Sequence, residues 1–141
     1  MKNKIIKAID DNREKIIALG EDILRTPELG YKEFKTSERV QKEFDSLGIP
    51  YRSELAITGV KGTVGNPDAK INICIIGELD AVKCFEHPFA DKETGAAHAC
   101  GHNAQIASMI GAAYGIIKSG VLDEIDGKIT FFAAPAEEYR A

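Results

Sequence analysis

No apolar run in the 141 residues approaches the roughly 18 that a membrane span requires, and the N-terminal MKNKIIKAIDDNREK is too charged for a secretory signal. A basic surplus is missing as well: 18 Lys and Arg stand against 22 Asp and Glu, for a net charge of −4. That balance argues against a nucleic-acid partner, whose phosphates would need neutralising. Cysteine is sparse. Cys74, Cys84 and Cys100 are an odd number without framework spacing, so a reduced, cytoplasmic compartment is expected. What remains, 44% hydrophobic and 28% charged residues in a chain of single-domain length, excludes a disordered tail, a collagen-like repeat and a coiled coil.

The chemistry-bearing residues are unevenly placed. Residues 1–70 carry a net +1 and residues 71–141 a net −5, a bias that suits either a cation site or a solvated acidic face. All three histidines (His87, His98, His102) and two of the three cysteines fall between residues 84 and 102.

Periodicity outlines an α/β chain. Ile9, Ile16 and Ile23 repeat at seven, flanked by Ile5, Ile17 and Leu24, and predict one amphipathic helix over 3–25. A second helix is expected from about Thr36 to Leu47, with Thr36 or Ser37 supplying the N-cap oxygen and Gly48 the stop. Short β-leaning stretches at 50–54 and 57–64, broken by glycines, suit an edge hairpin. The run INICII (71–76) reads as a strand buried on both faces, with Cys74 as core packing. A long irregular stretch, 78–101, is of the length that usually carries function. A helix over 103–119 and the strand KITFFAA (128–134) complete the pattern. The sum is a mixed, largely parallel sheet flanked by helices.

Two apolar strands separated by a helix form a parallel pair with a crossover, and ligands in such sheets lie beyond the carboxyl ends of the strands. Glu78 and Asp80 follow the first strand, and Glu137 and Glu138 follow the second. The loop carrying His98, Cys100 and His102 leaves the same edge. Imidazole, thiolate and carboxylate are ligands for zinc and similar divalent ions. Gly101 lets the backbone turn tightly between Cys100 and His102, and a helix starting near 102 would favour the Cys100 thiolate. H-x-C-x-H is not a full ligand set, however, and a structural cysteine between two polar loop histidines has the same spacing. Of the adjacent glutamates, one can hold a metal while the other takes a proton from water and delivers it to a leaving amine, although a solvated acidic turn would look alike. Asp80 suits a partner that orients a ligand. His87, before Pro88, reads as a surface loop residue.

With these residues in place, PELGYKEFKTSE (27–38), GELDA (77–81), HACGHN (98–103) and PAEE (135–138) together resemble the N-terminal half of the peptidase M-twenty metal-dependent amidohydrolases. That group includes hippurate, auxin-conjugate and aminobenzoyl-glutamate hydrolases. The resemblance implies that Cys100, His102 and Glu138 are metal ligands, that Glu137 is the general base and that Asp80 steadies a metal-binding side chain. Glu78 occupies a position that is often acidic in this branch. The resemblance further implies two divalent ions per complete site (zinc, manganese or cobalt). The implied substrate is a small molecule, an N-acyl amino acid, peptide or related amide, and the full-length parent is expected to be a homo-oligomer. Many relatives continue the loop as GHDGH, where this chain has Asn103, Ala104 and Gln105, and Asn103 is similar to the aminobenzoyl-glutamate branch. Family members place a lid or dimerisation domain after the PAEE region and then finish the catalytic domain, so residues 1–141 are expected to be its N-terminal portion. Two other readings stay open: a non-catalytic module holding a structural metal with His98, Cys100 and His102, and an assembly fragment without retained chemistry.

Overall fold

The computed structural model describes residues 1–139. In chain order the elements are α1 (Lys2–Asp11), α2 (Arg13–Arg25), α3 (Phe34–Leu47), β1 (Tyr51–Leu55), β2 (Gly59–Gly65), β3 (Asn72–Glu78), β4 (Val82–Lys83), β5 (Ala96–Ala97), α4 (His102–Lys118), a 3₁₀ turn (Val121–Glu124) and β6 (Lys128–Ala134). None of the helices is long and apolar enough to cross a membrane.

The single helix expected over 3–25 is two. Asn12 leaves the helical region at φ −114, ψ 9, and its side-chain amide donates to the Ala8 carbonyl at 2.8 Å, closing α1 before α2 restarts. Asparagine competes with the backbone for such bonds, which is why the register breaks there. Helix α3 begins two residues earlier than expected, so Thr36 and Ser37 lie inside it, and neither caps it. Its first-turn donors are met from outside: the Glu28 carboxylate accepts from the Lys35 and Thr36 amides and from the Thr36 hydroxyl at 2.9–3.1 Å. A carboxylate there also suits the positive end of the helix. Gly48 ends α3 in the left-handed conformation, as expected.

The principal sheet has the order β1-β2-β6-β3. The mixed α/β architecture with flanking helices is as expected, but the share of parallel pairing is smaller. Only β3 and β6 run parallel; β1–β2 and β2–β6 are antiparallel. The reason is that the expected edge hairpin joins the sheet antiparallel to β6. Phe44 and Val40 of α3, Phe131 and Ala133 of β6, and Ile106, Met109 and Ile110 of α4 form the core and are essentially inaccessible. Gly77 is where α4 crosses β3: a Cβ there would lie 2.9 Å from Ile106 Cδ1 and 3.3 Å from Ile106 Cα, so glycine eases that approach.

The run 71–76 is not buried on both faces. Strand β3 is a sheet edge, with α4 on one face only, and Ile71, Ile73 and Ile76 are 65%, 61% and 53% exposed. Cys74, expected in the core, is exposed on the face turned away from α4. The stretch 78–101 is more ordered than expected: β4 and β5 pair antiparallel within it, and the Asp91 carboxylate ties down the Glu93 and Thr94 amides.

Candidate metal centre

Parallel pairing of β3 with β6 places Glu78 opposite Ala134, and the Leu79 amide extends the pairing by donating to the Ala134 carbonyl at 2.9 Å. Both strands therefore end at the same level, and α4 starts beside them. Gly101, at φ +93, makes the turn into α4; a Cβ there would meet nothing within 4 Å, so its backbone conformation, not crowding, calls for glycine.

His102, the first residue of α4, is 5% exposed. Its Nδ1 lies 2.8 Å from the Asp80 carbonyl and 3.2 Å from Asp80 Oδ1. A carbonyl oxygen only accepts, so Nδ1 carries a proton and Nε2 points the other way. There Nε2 meets acid: Glu78 Oε2 lies at 2.9 Å and Glu137 Oε2 at 3.9 Å. A lone pair facing carboxylates is repulsive unless a proton or a metal ion lies between them, so the donors themselves fit a cation.

Among the described residues, two groups of ligand atoms lie within 4.8 Å of one another: Cys100, His102 and Glu138, and Glu78, His102 and Glu137. They share His102, whose Nδ1 is taken by Asp80, and one Nε2 lone pair serves one ion. The groups are thus alternatives around a single position. Glu78 and Asp80 reach the ring from its two nitrogens, the shared face that their i, i+2 spacing suggests. Asp80 is fully buried, and its second oxygen accepts from the Glu138 amide at 2.8 Å.

The Cys100 thiol is pushed up to about 11, first by desolvation and then by its hydrogen bond to Glu138. The residue as a whole is exposed, yet the protein around its sulfur outweighs the start of α4, so in the metal-free chain Cys100 is a thiol and not the expected thiolate. A bound cation would reverse this, because metal ligation displaces the thiol proton.

Among the described residues, His98 joins neither group. It is 3% exposed with no hydrogen-bond partner at either ring nitrogen, and it is held neutral, with a pKa lowered to about 4, by burial and then by His102. The closed set of His98, Cys100 and His102 is therefore not formed. His87 is also outside both groups; its Nδ1 accepts from the Phe89 amide at 3.2 Å, in the loop. The departures from GHDGH turn away from the ligand atoms. Asn103 donates to the Gly20 carbonyl at 3.2 Å, which an aspartate could not do, and Gln105 accepts from the Glu78 amide at 2.6 Å. No motif pointed to this positioning contact of Gln105; it arises because α4 crosses the end of β3.

A cleft of about 470 Å³ opens beside these groups, lined by Gly30, Lys32, Asp80, Val82, Lys83 and Glu138. It offers space for a small molecule next to the candidate ligands, with two lysines on its wall.

No family model matches the chain. It is 34% identical over 126 residues to the IAA-amino acid hydrolase ILR1-like 5 of Arabidopsis thaliana, covering 87% of this chain and 28% of the relative. It is 35% identical over 138 residues to the thermostable carboxypeptidase 2 of Saccharolobus solfataricus, covering 94% of this chain and 34% of the relative. The crystal structure of the Bacillus subtilis YXEP protein, a dinuclear metal-binding peptidase from the M20 family, superposes with a TM-score of 0.77 at 28% identity, covering 92% of this chain and 36% of that one. These relatives are enzymes, hydrolases and peptidases. The chain spans about a third of their length.

Proposed function

Starting from homology to the M20-family hydrolases, we propose that this chain carries the metal-holding and proton-transferring part of an amidohydrolase catalytic domain, of which it is an N-terminal portion. The observation that carries the reading is His102 Nε2, aimed at carboxylates while Nδ1 is committed to Asp80. Cys100, His102 and Glu138 would hold a divalent ion, with the mixed sulfur, nitrogen and oxygen donors suited to zinc and tolerated by manganese or cobalt. A complete site would hold two such ions, as in the dinuclear metal-binding YXEP protein, with further ligands from outside this chain.

When bound, the metal lowers the pKa of water and polarises the amide carbonyl. The residues of this chain supply the rest. Asp80 fixes the His102 tautomer and, through the Glu138 amide, the start of the second glutamate. Glu137, half exposed beside the same ring, is the general base: it takes a proton from the attacking water and delivers it to the departing amine nitrogen as the C–N bond breaks. The proposed substrate is the amide of an N-acyl amino acid, peptide or related compound. The exposed edge and outer face of β3 favour the view that more protein packs there in the active enzyme.

Calorimetric titration of the chain with zinc and with manganese tests the reading. Cys100→Ser and Glu138→Gln should each weaken binding by about tenfold or more. Affinity indifferent to Glu138→Gln would sink it.

A further inference from the structure

Of the four motifs, PELGYKEFKTSE contributes nothing to either ligand group, yet it holds a fully buried carboxylate, Glu33. Among the described residues no cation pairs with it. Its Oε2 accepts from the Thr58 hydroxyl at 2.7 Å, and its Oε1 accepts from the Ala136 backbone amide at 2.8 Å. Burying a carboxylate without a counter-charge is costly, and only such charge-assisted hydrogen bonds offset the cost.

What it binds explains why the cost is carried. Ala136 stands at φ +54, in the left-handed region that a residue with a Cβ avoids. Such strain persists only where the surroundings over-determine it. Ala136 immediately precedes Glu137 and Glu138. The turn is thus pinned at two amides, Ala136 by Glu33 and Glu138 by Asp80, and packed from below by Gly30, where a Cβ would come within 3.2 Å of Ala136 Cβ. The same N-terminal segment also reaches Asp80's neighbour, for the Ala81 amide donates to the Glu28 carbonyl at 2.8 Å.

We propose that Glu33 is a positioning residue that holds the strained Ala136 turn, so that Glu137 and Glu138 face His102 and Cys100. This rests on the metal reading above. The carboxylate suits the task because it accepts at both oxygens at once. A glutamine can keep the Ala136 contact by turning its NH₂ toward Thr58, whose hydroxyl can reverse and accept. An alanine keeps neither.

The test compares zinc affinity and metal-free amide hydrogen exchange in the wild-type chain, Glu33→Ala, Glu33→Gln and Thr58→Val, at a temperature where all four are folded by circular dichroism. Glu33→Ala should weaken zinc by about tenfold or more, while Glu33→Gln stays close to wild type. Thr58→Val, which costs a buried hydrogen bond but spares the Ala136 contact, should lower the melting temperature and leave zinc affinity unchanged. Without metal, Glu33→Ala should speed exchange at the Ala136 and Glu138 amides and leave the α4 amides unchanged. Unchanged zinc affinity in folded Glu33→Ala, or equal loss in Thr58→Val, would overturn the inference. If the wild-type chain binds no zinc, the metal reading fails, and exchange still decides the positioning role: unchanged rates at Ala136 and Glu138 reject it, and faster rates there sustain it.

Discussion

The Glu138 backbone amide donates to Asp80 Oδ2 across 2.8 Å, while the other oxygen of the same carboxylate faces His102 Nδ1 at 3.2 Å. Two motifs nearly sixty residues apart are thereby joined through one inaccessible side chain. Asp80 sets both the tautomer of one candidate ligand and the backbone of another. Asp80→Ala should lower zinc affinity by about 10–100-fold in a chain that remains folded, measured by calorimetry beside circular dichroism. Asp80→Asn should fall between, because its amide nitrogen can satisfy neither donor that it faces. Wild-type affinity in Asp80→Ala would show that the ring is oriented by the backbone carbonyl alone.

Glu137 and Glu138 are adjacent but are assigned different tasks, and the difference is measurable. Glu137→Gln should leave zinc affinity within about threefold of wild type, while Glu138→Gln costs about tenfold or more. In a catalytically complete protein containing this sequence, Glu137→Gln should lower kcat by about 10²–10⁴. Should Glu137→Gln cost as much affinity as Glu138→Gln, the group of Glu78, His102 and Glu137 would be the one that holds the ion.

The outer face of β3 should make the chain associate. Ile76 is more than half exposed on that face, and the strand leaves one edge unpaired, the arrangement that templates edge-to-edge pairing. Ile76→Lys should shift the mass measured by sedimentation or light scattering toward monomer at the same concentration. A wild-type chain that is monomeric at high micromolar concentration would refute this.

His98 should make the metal-free chain acid-sensitive. Its folded pKa, near 4, lies below the ordinary 6.5, because burial and the neighbouring His102 oppose its charge more than Asp80 favours it; His87 adds a smaller opposing effect. Between those values the unfolded chain binds a proton that the folded chain refuses. Stability therefore falls as pH drops from about 6.5 toward 4, by up to about 3 kcal/mol, and this contribution is level outside that window. Urea unfolding at several pH values should show a smaller acid loss in His98→Gln than in wild type. Equal slopes would remove His98 from the account.

Much of the architecture was legible in the pattern of residues because its causes are local. The heptad-like isoleucines of the first helices, the glycine stop of α3, the glycine-broken hairpin and the parallel β3–β6 pair all follow from periodicity and turn chemistry acting over a few residues. The departures come where a side chain competes with the backbone or a neighbouring segment supplies the partner. Asn12 split a helix by bonding to Ala8, and Glu28 replaced the expected hydroxyl cap of α3. The run INICII looks like a buried strand because its composition is apolar, but burial depends on what lies over each face, and here only α4 does. The thiol of Cys100 departs from the expected thiolate for a similar reason: the helix start is visible in sequence, and the burial and the Glu138 carboxylate that oppose it are not.

By itself, the sequence determined which chemistry could collect at one edge, because strand order and crossover direction carry Glu78, Asp80, Glu137, Glu138 and the His98–His102 loop to the same ends. It could not determine which of them meet. That His98 stands apart while Glu78 reaches His102, that Asn103 turns to Gly20, and that Glu33 holds the amide of Ala136 are matters of side-chain direction and hydrogen bonding between segments up to about a hundred residues apart. Those contacts exist only once α3, α4 and the sheet have packed, because packing alone brings each donor within reach of its acceptor.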